Sequence, residues 1–198
     1  MTVRWWHLRR GIPWTAVLGC CVAAGLLAGL LARWPSAALV LLPGVLACCA
    51  TATVFLYDEA ALPVVAVTPR GGAWRRTTRL AAAALPLGVW GLLVVARPGD
   101  LPLDRSGWWL LGGATILLTT GTAALASRRE VPSPGATLAG GVVLAVLGLV
   151  VVTTLLGWST VFPVTGFDQA VLTFWLVVGA AGAAAWLGAL WPARWSVG

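Results

Sequence analysis

Long apolar runs, broken by short polar segments, dominate the chain. Six runs stand out: Pro13 to Ala32, Ser36 to Tyr57, Leu80 to Ala96, Trp108 to Ala126, Ala136 to Gly157 and Ala170 to Trp191. A helix that crosses a bilayer needs about 20 predominantly apolar residues, and each run approaches or exceeds that length. None alternates apolar and polar residues as a barrel strand would. Only helices and closed barrels satisfy their backbone in lipid, so the pattern predicts an all-α, polytopic membrane protein with six transmembrane helices. The whole chain, residues 1–198, reads as one domain. The segment before the first run, residues 1–12, carries Trp5, Trp6, Arg9 and Arg10 and is expected to lie along the membrane surface. It resembles the start of a signal peptide, but the apolar run behind it is too long for one.

Composition supports this reading. Hydrophobic residues make up 60% of the chain and charged residues 10%, and the mean hydropathy is +0.92. A soluble domain is closer to half apolar and a quarter charged. All 13 basic residues are Arg; with abundant Ala, Gly, Val and Pro, this predicts a GC-rich bacterial genome and a bacterial inner-membrane location. The net charge of +7 reads as topology rather than nucleic-acid binding, because cytoplasmic loops collect Lys and Arg. With the N-terminus inside, Arg4, Arg9, Arg10, Arg70, Arg75, Arg76, Arg79, Arg128, Arg129 and Arg194 fall on the cytoplasmic side, and Arg33, Arg97 and Arg105 outside. That split favours six spans with both termini in the cytoplasm. Trp5, Trp6, Trp14, Trp74, Trp191 and Trp195 are expected near the inner boundary. Trp34, Trp108, Trp109 and Trp158 are expected near the outer one, as in an aromatic belt. Trp90, Trp175 and Trp186 lie deeper and are assigned to packing.

No Asp, Glu, Lys, Arg or His falls inside the six runs. Proton-coupled transporters and voltage sensors require such groups, and the lone His7 lies ahead of the first run. The membrane-embedded part is therefore expected to be chemically inert and not an enzyme, with no catalytic residues, no metal and no directly bound cofactor. Two features leave alternatives open. Cys20, Cys21, Cys48 and Cys49 fall at similar depth on adjacent antiparallel helices, either as a thiolate site or as small apolar residues. Thr115, Thr119 and Thr122 share one face of the fourth helix. They either line a polar pathway or bond their own helix a turn earlier. Gly25 and Gly29 form a GxxxG in the first span, and Gly179, Gly182 and Ala183 a small-residue patch in the sixth.

The distinctive segment is DEAALPVVAVTPRGGAWRRTTR, residues 58–79. Asp58 and Glu59 open it, Ala61-Leu62 and the apolar Val64, Val65 and Val67 follow, Thr68-Pro69 closes the apolar part, and Arg79 stands ten residues after Pro69. This resembles the cytoplasmic loop between the second and third spans of the type-two ABC export permeases. That loop runs from acidic residues through T-L-E-x-L-L-x-T-P to a Lys or Arg ten positions beyond the Pro. Here Pro63 replaces the Glu and Ala-Leu replaces Thr-Leu, and the segment between spans five and six is shorter than in many relatives.

The resemblance implies a transmembrane subunit of an ATP-driven exporter. Asp58, Glu59, Leu62, Val65, Thr68, Pro69 and Arg79 would couple it to a cytoplasmic ABC ATPase subunit, itself dimeric, that carries ATP and Mg. A second permease domain, identical or related, would complete the path within membrane lipid. No GxxxxGK[ST] occurs in the chain, so the ATPase must be a separate polypeptide. The competing reading is a non-transporting membrane scaffold or accessory subunit.

Overall fold

The computed structural model describes residues 8–58, 72–129, 133–157 and 160–191. Among the described residues, a short helical stretch at 8–11 is followed by seven longer helices: α1 (Trp14–Arg33), α2 (Ala38–Phe55), α3 (Gly72–Ala82), α4 (Ala84–Ala96), α5 (Arg105–Ala126), α6 (Pro134–Leu155) and α7 (Gln169–Leu190). Among the described residues there is no strand. Six helical segments among these residues are long and apolar enough to cross a membrane, the third being Arg76–Ala96, which spans α3 and α4.

Boundaries differ from expectation where local chemistry intervenes. The third span begins earlier than Leu80, because α3 is already helical from Gly72. Its break at Ala83 follows from Pro86, which has no N–H to offer the carbonyl of Ala82. The Ala83 N–H turns back to the carbonyl of Leu80 at 3.0 Å instead. The fourth span starts three residues before Trp108, because the carboxylate of Asp104 accepts from the N–H groups of Ser106 and Gly107 and caps α5. The second is led in by a 3-10 turn at Pro35–Ala37.

Helix α2 is the axis of the bundle. Most of its side chains are buried, and α1, α4, α5 and α6 all pack on it. The tightest pairing is between α5 and α7. There Gly121 and Gly182 let the backbones meet: a Cβ on Gly182 would stand 2.5 Å from the backbone nitrogen of Leu118. The outer faces of α1, α6 and α7 expose Leu26, Leu144, Leu155, Val177 and Leu187. In lipid such faces cost nothing, and association rests on close packing and interhelical hydrogen bonds. Gly25 and Gly29 have open space beside them, as do Gly140, Gly141 and Gly148 on α6, so the GxxxG of α1 takes no part in packing within the chain.

Candidate functional site

The ends of segment 58–79 meet at the Arg-rich end of the bundle. Helix α2 finishes at Phe55, and two turn bonds, from the N–H of Tyr57 to Val54 and from that of Asp58 to Phe55, aim Asp58 across towards α6. Helix α6 begins Ser133-Pro134-Gly135, and Ser133 makes no side-chain cap. Asp58 supplies the cap from elsewhere in the chain: Oδ1 accepts from the N–H of Gly135 at 2.5 Å, and the N–H of Ala136 also donates to it. A Cβ on Gly135 would lie 2.6 Å from that carboxylate, so any larger residue would push the Asp58 side chain out of this position.

Arg79 closes the base of the segment. Its Nη1 donates to the carbonyl of Asp58 at 3.4 Å and its Nη2 to the carbonyl of Gly11 at 3.3 Å. It is only 3% exposed, an expensive placement for a guanidinium unless its donors find acceptors. Tyr57 is buried beside Trp186 of α7, with Arg76 and Arg79 within electrostatic reach. Arg128, beyond α5, donates from Nη1 to the carbonyl of Gly188 at 2.5 Å, tying α5 to the last turn of α7. Trp14 Nε1 bonds the carbonyl of Leu8 at 3.0 Å and fixes the short helical stretch ahead of α1. These contacts join α1, α2, α3 and α6 around Asp58 and Arg79, with α5 and α7 alongside. Burial pushes the Asp58 carboxyl above the usual carboxylate range, although the amides of Gly135 and Ala136 and the charge of Arg79 oppose the shift.

The threonines of α5 bond mainly within their own helix, and one of them also reaches α2. Thr115, Thr119 and Thr122 each donate to carbonyls of their own helix at 2.9 Å. Thr119 and Thr53 of α2 also bring their hydroxyls to 2.7 Å. Thr115 and Thr119 are buried, whereas Thr122 is only half-buried. Thr53 and Thr120, not singled out from the sequence, are buried in the same region.

At the opposite end, aromatic side chains seal the bundle. Trp108, expected near the outer boundary, is completely buried among its neighbours at this end of the bundle. Its ring lies tilted against that of Trp90, with centroids 5.5 Å apart, and meets Phe167 edge-on at 6.4 Å, while Trp90 Nε1 donates to its carbonyl at 3.0 Å. Gly112 and Gly107 leave the room that Trp90 and Phe167 fill. Trp175 Nε1 bonds the carbonyl of Val161 at 2.8 Å, and Asp168 caps α7 through the N–H of Val171.

The four cysteines are free thiols. Cys48 stands within electrostatic reach of Cys20 and Cys21, so the two helices do bring them to one depth. Among the described residues, no three or more His, Cys, Asp or Glu are grouped to hold a metal ion.

Of the expected coupling residues, Asp58 and Arg79 are thus brought together, while Glu59, Leu62, Val65, Thr68 and Pro69 lie outside the described residues. Sequence reasoning missed Gly135, Tyr57, Trp186 and Arg128 as their neighbours. The signal for Gly135 was present: a helix start with Pro and Gly and an idle Ser cap needs an acceptor from elsewhere. No family model matches this chain, and no curated protein or solved structure is significantly similar to it.

Proposed function

We propose that this chain is the transmembrane subunit of an ATP-driven ABC exporter of the bacterial inner membrane. It forms the translocation path with a second permease domain, identical or related, and couples to a separate cytoplasmic ATPase through segment 58–79. The observation that carries this reading is the closed base of that segment. Asp58 and Arg79, its two ends, are bonded to each other, to Gly11 ahead of α1 and to the first turn of α6. A push on the segment therefore reaches several spans at once, as coupling requires. The absence of ionisable groups inside the apolar runs fits an apolar or amphipathic cargo moved by energy from a partner.

The test is copurification of the full chain with a cytoplasmic Walker-motif ATPase from the cells that express it, followed by ATP hydrolysis in proteoliposomes. Charge reversal at Glu59 and Val65→Asp should weaken assembly and lower coupled turnover. Fully ATP-coupled assembly with residues 59–69 scrambled overturns the proposal and favours the accessory-subunit reading.

A further inference from the structure

Helix α6 is the least enclosed span of the bundle. The apolar positions that pack on the core, Leu138, Val142, Val146, Leu149 and Val150, together with the buried Thr153, run along one face. That face packs almost entirely on α2, with little contact to α5. The opposite face, with Leu144, Leu147, Val151 and Leu155, is open. A helix held along one seam by apolar contacts, with lipid on the other side, meets little resistance to rocking about that seam.

The two ends of α6 are held differently. At the Arg-rich end the only side chain reaching its first-turn amides among the described residues is Asp58, through Gly135 and Ala136. At the other end the chain leaves the helix through Gly157, in the left-handed region at φ +64 with open space beside it. That backbone freedom suits a pivot. Helix α5, by contrast, is capped from the adjacent Asp104 and is clasped by α2, α4 and α7.

We propose that α6 is the movable wall of this domain and that Asp58 is its latch: the carboxylate pins the Arg-rich end of α6 to the end of α2, and releasing it lets α6 swing about its seam with α2. The inference deepens the export reading, since segment 58–79 would work the latch, but the latch itself requires no ATPase. Arg79 acts as a positioning residue, because its bond to the Asp58 carbonyl fixes the backbone from which the carboxylate reaches.

The test uses the full chain in lipid nanodiscs without any partner, with the four native cysteines replaced by alanine. Spin labels at positions 126 and 141 report the distance between α5 and α6, and labels at 113 and 187 report α5 against α7 as a check on the fold. Hydrogen exchange reads the first turn of α6. The native latch and Asp58→Asn, which keeps an acceptor oxygen, should give one narrow 126–141 distance. Asp58→Ala should broaden it and speed exchange at Gly135 and Ala136 about fivefold, the loss typical of a helix cap, with the 113–187 distance unchanged. Asp104→Ala, which removes a cap from a clasped helix, should speed local exchange without moving any label. Faster exchange in Asp58→Ala with an unchanged 126–141 distance would make Asp58 an ordinary cap and overturn the proposal. Loss of ATPase coupling with the latch intact would count against the export reading alone.

Discussion

Replacing Gly182 by alanine tests the packing argument most directly. The added Cβ would stand 2.5 Å from the nitrogen and 2.7 Å from the Cα of Leu118, where carbon contacts normally settle near 3.5–4.0 Å. Backbone cannot rotate aside as a side chain can, so α5 and α7 must part by roughly 1 Å. A gap of that order forfeits a quarter to a half of the dispersion energy of the contacts it opens, here along the tightest pairing in the bundle. Overpacking of this kind costs about 1–3 kcal/mol. Gly179 is the control, one turn earlier on the same helix: its Cβ would meet Ala114 at an ordinary 3.5 Å. Both substitutions gain the same helix propensity, up to about 1 kcal/mol, so their difference isolates the clash. Reversible unfolding of the two variants in mixed micelles should place Gly182→Ala below Gly179→Ala by about 1–3 kcal/mol. Equal stability would refute the Gly121–Gly182 crossing.

Other outcomes follow from the polar contacts. A double-mutant cycle of Thr53→Val and Thr119→Val should give a coupling near 0.6 kcal/mol, the usual worth of an interhelical hydrogen bond in a bilayer, because the hydroxyls meet at 2.7 Å; no coupling would place the two threonines on separate faces. Asp168→Ala should cost about 1 kcal/mol in the same unfolding assay by stripping the α7 cap. The two carboxylates Asp58 and Asp104 should titrate with opposite signs. Asp58 is raised by burial, so the folded protein holds its proton more tightly. Its contribution is full below the unfolded value of about 3.9 and fades as pH rises through the folded value. Asp104 is lowered, first by its bond from Ser106; its contribution is full above about pH 3.9 and is lost as pH falls through the folded value. Thermal midpoints between pH 3 and 7 should therefore show wild type losing ground to Asp58→Asn as pH rises and gaining on Asp104→Asn.

The six spans were legible in the sequence because a helix in lipid bonds its backbone locally and needs only length and apolarity, both written in consecutive residues. The closeness of Asp58 and Arg79 was half legible: the resemblance of segment 58–79 to a permease loop singled out both residues, but their bond and the capping of α6 join positions 21 and 77 residues apart. Trp108 stood at the start of its apolar run, but that it packs between helices rather than facing lipid depends on the notch at Gly112 and the arrival of Trp90 and Phe167. Gly179 and Gly182 look alike in the chain, as do Thr119 and Thr122; which of each pair meets a neighbour depends on how far a helix is rotated and where it crosses the next. In water an amphipathic stripe reveals that rotation. In lipid, tails are as apolar as a packed neighbour, so both faces of a span read the same, and which one turns inward was decided only when α2 gathered the others around it.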